Sequence, residues 1–330
     1  MQKSLKLSLR NSGATLSEID PWCLSPQSIA EPLSADVNCI QRFITAAISP
    51  NTRRAYQQDL QDFLNWGGTI PCTAEILAAY VAGRASSLAT ATITRRVVGI
   101  GRAHTTQGFS DPSKADLVRT VLRGVRRVNG TAQRQVAPLI KQDVMDILPS
   151  LKNLRGSRDR ALILLGYASA LRRSELVALQ VIDLENVREG LVIHLRRSKT
   201  DQEGQGRKIA IPWGRTSACP VKAVHTWLAS AAIEIGPIFR AVGKSNKVSD
   251  AALSPQSIAL ILKGHAQKIG LDSTQISGHS LRSGLVTSAV QAGVSVHKIQ
   301  QQTGHRSLDM LARYVRDANL FEGNASGALL

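Results

Sequence analysis

Apolar residues recur along this chain first with the period of a helix, then briefly with that of a strand, then as helices again. In "DVNCIQRFITAAIS", Val37, Ile40, Phe43, Ile44 and Ile48 fall at helical spacing. "SPNTRRAYQQDLQDFLNWG" follows. Its Ser49-Pro50 is a helix start, Tyr56, Leu60, Phe63 and Leu64 make one stripe, and Gly67 is a stop. "TAEILAAYVAGRA", "LATATITRRVVGIGRAHTTQG" and "PSKADLVRTVLRGVRRV" continue the pattern. Short connectors between these segments predict an all-helical domain over residues 36–128. Residues 1–35 are rich in Ser and Pro and read as a flexible N-terminal segment.

The polar stretch "NGTAQRQVAP" reads as a linker over 129–137, closed by Pro138. From residue 138 the pattern restarts in "LIKQDVMDILPSL" and "RDRALILLGYASALRRSELVALQ", both read as helical. The period then drops to that of a strand in "GLVIHLRRS" and "RKIAIPW", joined by the Gly-rich "KTDQEGQG". Helices return in "PVKAVHTWLASAAIE", "SPQSIALILKGHAQKIG", "HSLRSGLVTSAVQAG" and "SVHKIQQQTG". The fold class is mainly α with a small antiparallel sheet in the second domain, residues 138–330, and a C-terminal tail from about 317. The heptapeptide "LSPQSIA" occurs at 24–30 and again at 253–259 and reads as a reused helix start, because Ser caps and Pro fits the first turn.

Composition adds a partner. Lys and Arg number 41 against 24 Asp and Glu, a formal charge of +17 in 330 residues, and such an excess favours a polyanion, nucleic acid before others. The plain alternative is a basic enzyme with a solvated positive surface. Aromatics are only 4 %, so the cores must be built from Leu, Ile, Val and Ala. Cys23, Cys39, Cys72 and Cys219 form no CxxC and read as buried or half-buried thiols in a reducing compartment. No apolar run approaches a membrane span, and "MQKSLKLSLRNSG" lacks a signal peptide's apolar core. The expectation is a cytoplasmic, DNA-associated protein with no membrane contact.

The chemistry gathers in the second domain. Arg172 lies in "SALRRSEL", Lys199 in "RRSKTD", His279 and Arg282 in "GHSLR", His305 in "TGHRS", and Tyr314 nine residues later. Breaking a phosphodiester without metal or nucleotide uses these types together. Guanidiniums hold the non-bridging oxygens and neutralise charge growing at phosphorus. A lysine or histidine protonates the departing oxygen. A phenol, with a pKa of about 10, attacks more readily than an aliphatic alcohol once cations surround it. Singly, each has a structural reading. Arg172 and Arg173 could be a solvated helix pair, His279 and Arg282 share a face by spacing alone, and His305 could cap a helix. Lys199 is ordinary in a hairpin, and Tyr314 could complete a stripe with Leu308 and Leu311. Their order and spacing make the joint structural reading the weaker one.

"ALRRSEL", "GHSLR", "TGHRS" and the tyrosine nine residues on resemble the tyrosine site-specific recombinase (phage integrase) family. The segment "SGHSLRSGLVTSAVQAGVSVHKIQQQTGHRSLDMLARYVRDA" is similar to the C-terminal core of the Cre-like branch. The resemblance spans about residues 36–327 and is most specific over 165–200 and 277–316. It implies that Arg172 and Arg282 clamp the scissile phosphate, Lys199 is the general acid, and His279 assists as acid, base or hydrogen-bond partner. It further implies that His305 donates to a non-bridging oxygen, Glu175 orients the site, and Tyr314 forms a 3′-phosphotyrosyl link. Arg173 and Lys208 stand as alternatives to Arg172 and Lys199. No cofactor and no metal are implied. The implied partner is double-stranded DNA with a specific site, engaged by a homotetramer that passes through a Holliday junction.

Outside that site, Arg53 and Arg54 begin a helix, well placed for phosphates, and Arg95, Arg96 and Arg102 lie off the Ile93, Val97 and Ile100 face. Arg119, Arg123, Arg126 and Arg127 form a further basic stripe. Each of these could equally be part of a solvated face. In the tail, Leu320, Phe321, Leu329 and Leu330 either pack back on their own subunit or, as the resemblance implies, dock into a neighbouring protomer. Two rival functions use the same residues differently: a type IB topoisomerase-like relaxing enzyme, and a catalytically silent DNA-binding regulator.

Overall fold

The structure, a computed structural model, describes residues 39, 42–44, 46–131, 136–196 and 206–318. It divides into two compact units, Met1–Arg134 and Gln135–Leu330, each with its own apolar core.

In the first unit the described helices are α1 (Pro50–Asn65), α2 (Ala74–Arg84), α3 (Thr90–Thr106) and α4 (Asp116–Asn129). The Ser49-Pro50 signal does start α1: Ser49 Oγ accepts from the Thr52 N–H, and proline fills a position that needs no donor. Helix α1 packs on α3 and α2 on α4, closing a core of Leu60, Phe63, Leu77, Tyr80, Val81, Ile93, Val97, Ile100, Val118, Leu122 and Val125. Leu64, expected on the α1 stripe, is exposed.

In the second unit, α5 (Lys141–Ile147) leads into α6 (Leu154–Ser169), whose C-terminal half is apolar and buried nearly all round and forms the centre of the core. The stretch 158–180 is not one helix. Ala170 turns left-handed (φ 51°), α6 stops at Ser169, and α7 (Arg173–Ala178) starts afresh. Strands β1 (Leu184–Val187), β2 (Gly190–Leu195) and β3 (Arg207–Pro212) make one antiparallel sheet, with Leu191 opposite Ile211 and Ile193 opposite Ile209. After α8 (Pro220–Ser230) a second hairpin pairs β4 (Arg240–Val242) with β5 (Val248–Ala252). β1 and this hairpin are too short and polar to show strand alternation. Helices α9 (Pro255–Lys268), α10 (Ser280–Gln291), α11 (Val296–Thr303) and α12 (Asp309–Ala318) complete the unit.

Ser254 caps α9 through the Ser257 N–H, so the second "LSPQSIA" is a helix start, while the first copy lies outside the described residues. Cys219 is buried and Cys72 half-buried, but Cys39 is exposed rather than covered. Among the described residues no helix is long and apolar enough to cross a membrane.

Candidate active site

The break in the 158–180 stretch creates one wall of the site. With the chain turned at Ala170, Arg172 becomes the residue capping α7, and Glu175 on the first turn of that helix reaches back to it. Glu175 Oε2 accepts from the Arg172 backbone N–H at 2.9 Å, and Oε1 accepts from Arg172 Nη1 at 2.7 Å. The carboxylate is buried, so this pairing fixes the guanidinium rather than merely touching it. Arg173 is exposed, which separates it from Arg172.

The second wall is α10. His279 sits at its N-cap and is exposed, and its backbone N–H donates to Ser277 Oγ at 3.0 Å. Arg282, one turn in, is 5 % exposed. Its Nη1 donates at 2.7 Å to two carbonyls, Ala170 at the end of α6 and Thr303 at the end of α11. Both are helix-end acceptors with no intrahelical donor, at the negative ends of their dipoles. Its Nη2 is buried and has no partner among the described residues. Burial, then the neighbouring charge of Arg172, pushes the Arg282 pKa down to about 10.

His305 follows α11 across a left-handed Gly304 (φ 66°) and is buried. Its Nδ1 lies 2.6 Å from Thr303 Oγ1, whose hydroxyl donates to the Ile299 carbonyl at 2.7 Å. With that hydroxyl hydrogen used, Nδ1 is assigned the proton and Nε2 the lone pair. Burial, with the charges of Arg282, Arg172 and Arg207 behind it, drops the His305 pKa to about 4. The ring is therefore neutral near pH 7 in the DNA-free protein.

Tyr314, on α12, is half-buried and packs with Val286, Ile299 and Leu311. The stripe expectation is met by Leu311, fully buried, but not by Leu308, which is exposed. The ring is thus held by a small apolar cluster, near enough to Arg282 for the two groups to act on one another.

Lys199 lies outside the described residues, as do Leu320, Phe321, Leu329 and Leu330. Lys208 is exposed on the opposite face of β3 from the inward residues Ile209 and Ile211, so it does not enter the site. Arg207 does. Its Nη1 donates to the Gln302 carbonyl at 3.0 Å, and its charge is felt by both Arg282 and His305. No motif marks it in the sequence, although period-2 alternation puts residues 207, 209 and 211 on one face of β3.

In the first unit, the arginines divide. Arg95 Nε and Nη2 donate to both oxygens of buried Asp59 at 2.8 and 2.9 Å. Arg96 Nη1 pairs with Asp62 and donates to the Tyr80 hydroxyl at 2.9 Å, inside a cluster where burial pushes the tyrosine up to about 12. These two guanidiniums are engaged within the protein. Arg53 is half-buried, Arg54 is exposed with Nη2 on Asn51 Oδ1 at 2.9 Å, and Arg102, Arg119, Arg123, Arg126 and Arg127 are exposed.

Most of the chain has known counterparts. The phage integrase family model matches residues 139–320. The integrase/recombinase xerD homolog of Selenomonas ruminantium is 38 % identical over 297 residues, covering 86 % of this chain and 87 % of that protein. Recombinase cre of Escherichia phage P1 is 25 % identical over 254 residues, 71 % of this chain and 73 % of its own length. Among solved structures, the XerH site-specific recombinase bound to palindromic difH substrate, a post-cleavage complex, shares the fold with a TM-score of 0.62 at 16 % identity. That match covers 90 % of this chain and 84 % of that one. The chain belongs to the phage integrase family of tyrosine recombinases.

Proposed function

We propose that this protein is a site-specific recombinase that cuts and rejoins double-stranded DNA through a 3′-phosphotyrosyl intermediate. Tyr314 Oη attacks the scissile phosphorus, forming the phosphotyrosine bond as the bond to the 5′-oxygen breaks. Lys199 gives that oxygen its proton, and His279 assists as the base that takes the proton the phenol loses. Arg172, oriented by Glu175, and Arg282 hold the non-bridging oxygens. His305 donates a further hydrogen bond, which from Nε2 requires its protonated ring. The reverse reaction, with a 5′-hydroxyl from the partner strand, completes one exchange and releases the tyrosine. No metal or nucleotide enters this balance.

The observation that carries the reading is that Arg172 from α7, Arg282 from α10 and Tyr314 from α12 lie close enough to act on one another, with Arg282 pinned by the Ala170 and Thr303 carbonyls. An excess of buried cation is costly unless an anion completes it, and a phosphodiester is such an anion. Four protomers on two sites, a Holliday junction, and docking of Leu320, Phe321, Leu329 and Leu330 on a neighbour complete the proposal. Within the family, a Cre-like placement rests on the likeness of residues 277–318 and a 25 % identity to recombinase cre, and the higher identity to the xerD homolog favours a Xer-like one. The test is a denaturing gel after incubation with DNA carrying the site. Wild type leaves a covalent protein–DNA band and Tyr314→Phe leaves none while still shifting DNA on a native gel. A normal covalent band from the Phe variant ends the proposal.

A further inference from the structure

We propose that Arg207 is a positioning residue for DNA cleavage. From the first position of β3 its guanidinium ties down the turn of residues 301–305, and that turn in turn aims His305 and Arg282 at the phosphate. The inference rests on the reading above and adds a residue to it.

Three observations carry it. Arg207 Nη1 donates to the carbonyl of Gln302 at 3.0 Å, with that of Gln301 further off at 3.4 Å, so it takes up the orphan acceptors at the end of α11. Gly304 lies flat against the same guanidinium. A Cβ there would sit 2.9 Å from both Cζ and Nη1, and φ at 66° disfavours a side chain on its own account. The residues on either side of Gly304 serve the site: the Thr303 carbonyl accepts from Arg282, and the Thr303 hydroxyl holds His305. Arg207 is therefore the strand-side anchor of a turn that touches two reacting groups.

Other anchors hold this turn too, since Gln302 Nε2 donates to the Ala168 carbonyl at 2.8 Å. What Arg207 adds is charge and direction. Its Nη2 is buried with no partner among the described residues. It lies beside Arg172 and Arg282, with Glu175 the acidic group that acts on both Arg207 and Arg282. A residue needed only to hold the turn could be neutral. An arginine placed here raises the positive potential where the phosphate must sit.

The test measures single-turnover formation of the covalent adduct on a nicked suicide substrate, with DNA affinity and thermal unfolding recorded alongside. Arg207→Ala is expected to remain folded and to bind DNA somewhat less tightly, yet at saturating DNA to form adduct about 100-fold more slowly, the cost of a small misplacement of catalytic groups. Gly304→Ala pushes the guanidinium aside and gives a similar loss. The double variant loses clearly less than the product of the two single losses, because both break one contact. Arg207→Lys recovers part of the rate by keeping the charge without the fork. A substrate with a 5′-sulfur leaving group, which needs no proton donor, does not rescue Arg207→Ala. Wild-type rates in Arg207→Ala, multiplicative losses in the double variant, or rescue by sulfur would each overturn the inference and leave the recombinase reading standing. An adduct that survives Tyr314→Phe would sink both.

Discussion

The Ala170 carbonyl accepts from Arg282 Nη1 at 2.7 Å because Ala170 itself is left-handed. A helix running through this point would bury that oxygen in its own ladder and leave the arginine without its support. The break after α6 is thus part of the site. Alanine at positive φ carries about 1–2 kcal/mol of strain that glycine avoids, partly offset by glycine's greater freedom when unfolded. Ala170→Gly is therefore expected to keep cleavage activity and gain roughly 0.5 kcal/mol in a urea melt. A loss of stability, or of adduct formation, would show that the methyl group has a role this geometry does not explain.

Glu175 and Arg172 form the best-buried ion pair of the site, with side chains 4 % and 13 % exposed. Removing the carboxylate leaves Arg172, Arg207 and Arg282 together without their acid. Glu175→Gln is expected to cost about 3 kcal/mol, the size found when one partner of a buried pair is lost. Because DNA phosphate can replace the missing charge, saturating DNA should recover part of that stability. Melts with and without DNA check both effects, and an unchanged melting temperature in the free variant would contradict the pairing.

His305 gives the protein a defined acid response. Its pKa is about 4 folded against 6.5 in the unfolded chain, so between those values the unfolded state holds more protons. Stability from this group is full above 6.5 and is lost as pH falls towards 4, by about 2–3 kcal/mol in all. His305→Asn should flatten that part of the stability–pH curve relative to wild type, measured by urea midpoints at a series of pH values. DNA works the other way. A phosphate among the arginines favours the imidazolium, so binding takes up a proton and wild-type affinity should rise as pH falls through this window, more than it does for His305→Asn.

Much of this was legible in the chain. Helix starts with a chemical signal were placed well, as at Ser49-Pro50 and Ser254, and the paired strands β2 and β3 followed from alternation. Arg172, Arg282, His305 and Tyr314 stood out because motif spacing is a property of the sequence. What escaped has physical causes. The turn at Ala170 uses no glycine, so nothing marks it. Leu308 looks like Leu311 on a helical wheel, and only the neighbours Val286 and Ile299 decide which of them is covered. Arg207 belongs to no motif, and its meaning comes from the end of α11, about 95 residues away in sequence. Arg95 and Arg96 looked available because the partners Asp59 and Asp62 sit on another helix.

That last pairing separates the N-terminal arginines into two groups by what they should do when removed. Asp59 is 1 % exposed and takes both donors of Arg95, while Arg96 joins Asp62 and Tyr80. Arg95→Ala deprives buried Asp59 of its bidentate partner and is expected to lower stability by about 2–3 kcal/mol, whereas Arg96→Ala leaves half-buried Asp62 with Arg84 and the Tyr80 hydroxyl and should cost less. Their effect on DNA affinity, measured with folded protein, should be small. Arg119, Arg123, Arg126 and Arg127 on α4 are exposed, and Val118, Leu122 and Val125 hold the helix from its other face. Replacing Arg123 or Arg126 by alanine should leave the melt unchanged. If either contacts a phosphate, the slope of log affinity against log salt should fall by about 1 per residue, with a similar loss on specific and non-specific DNA. A selective loss on the specific site would mean that the arginine reads a base edge instead. An unchanged salt slope for both would place α4 away from the duplex.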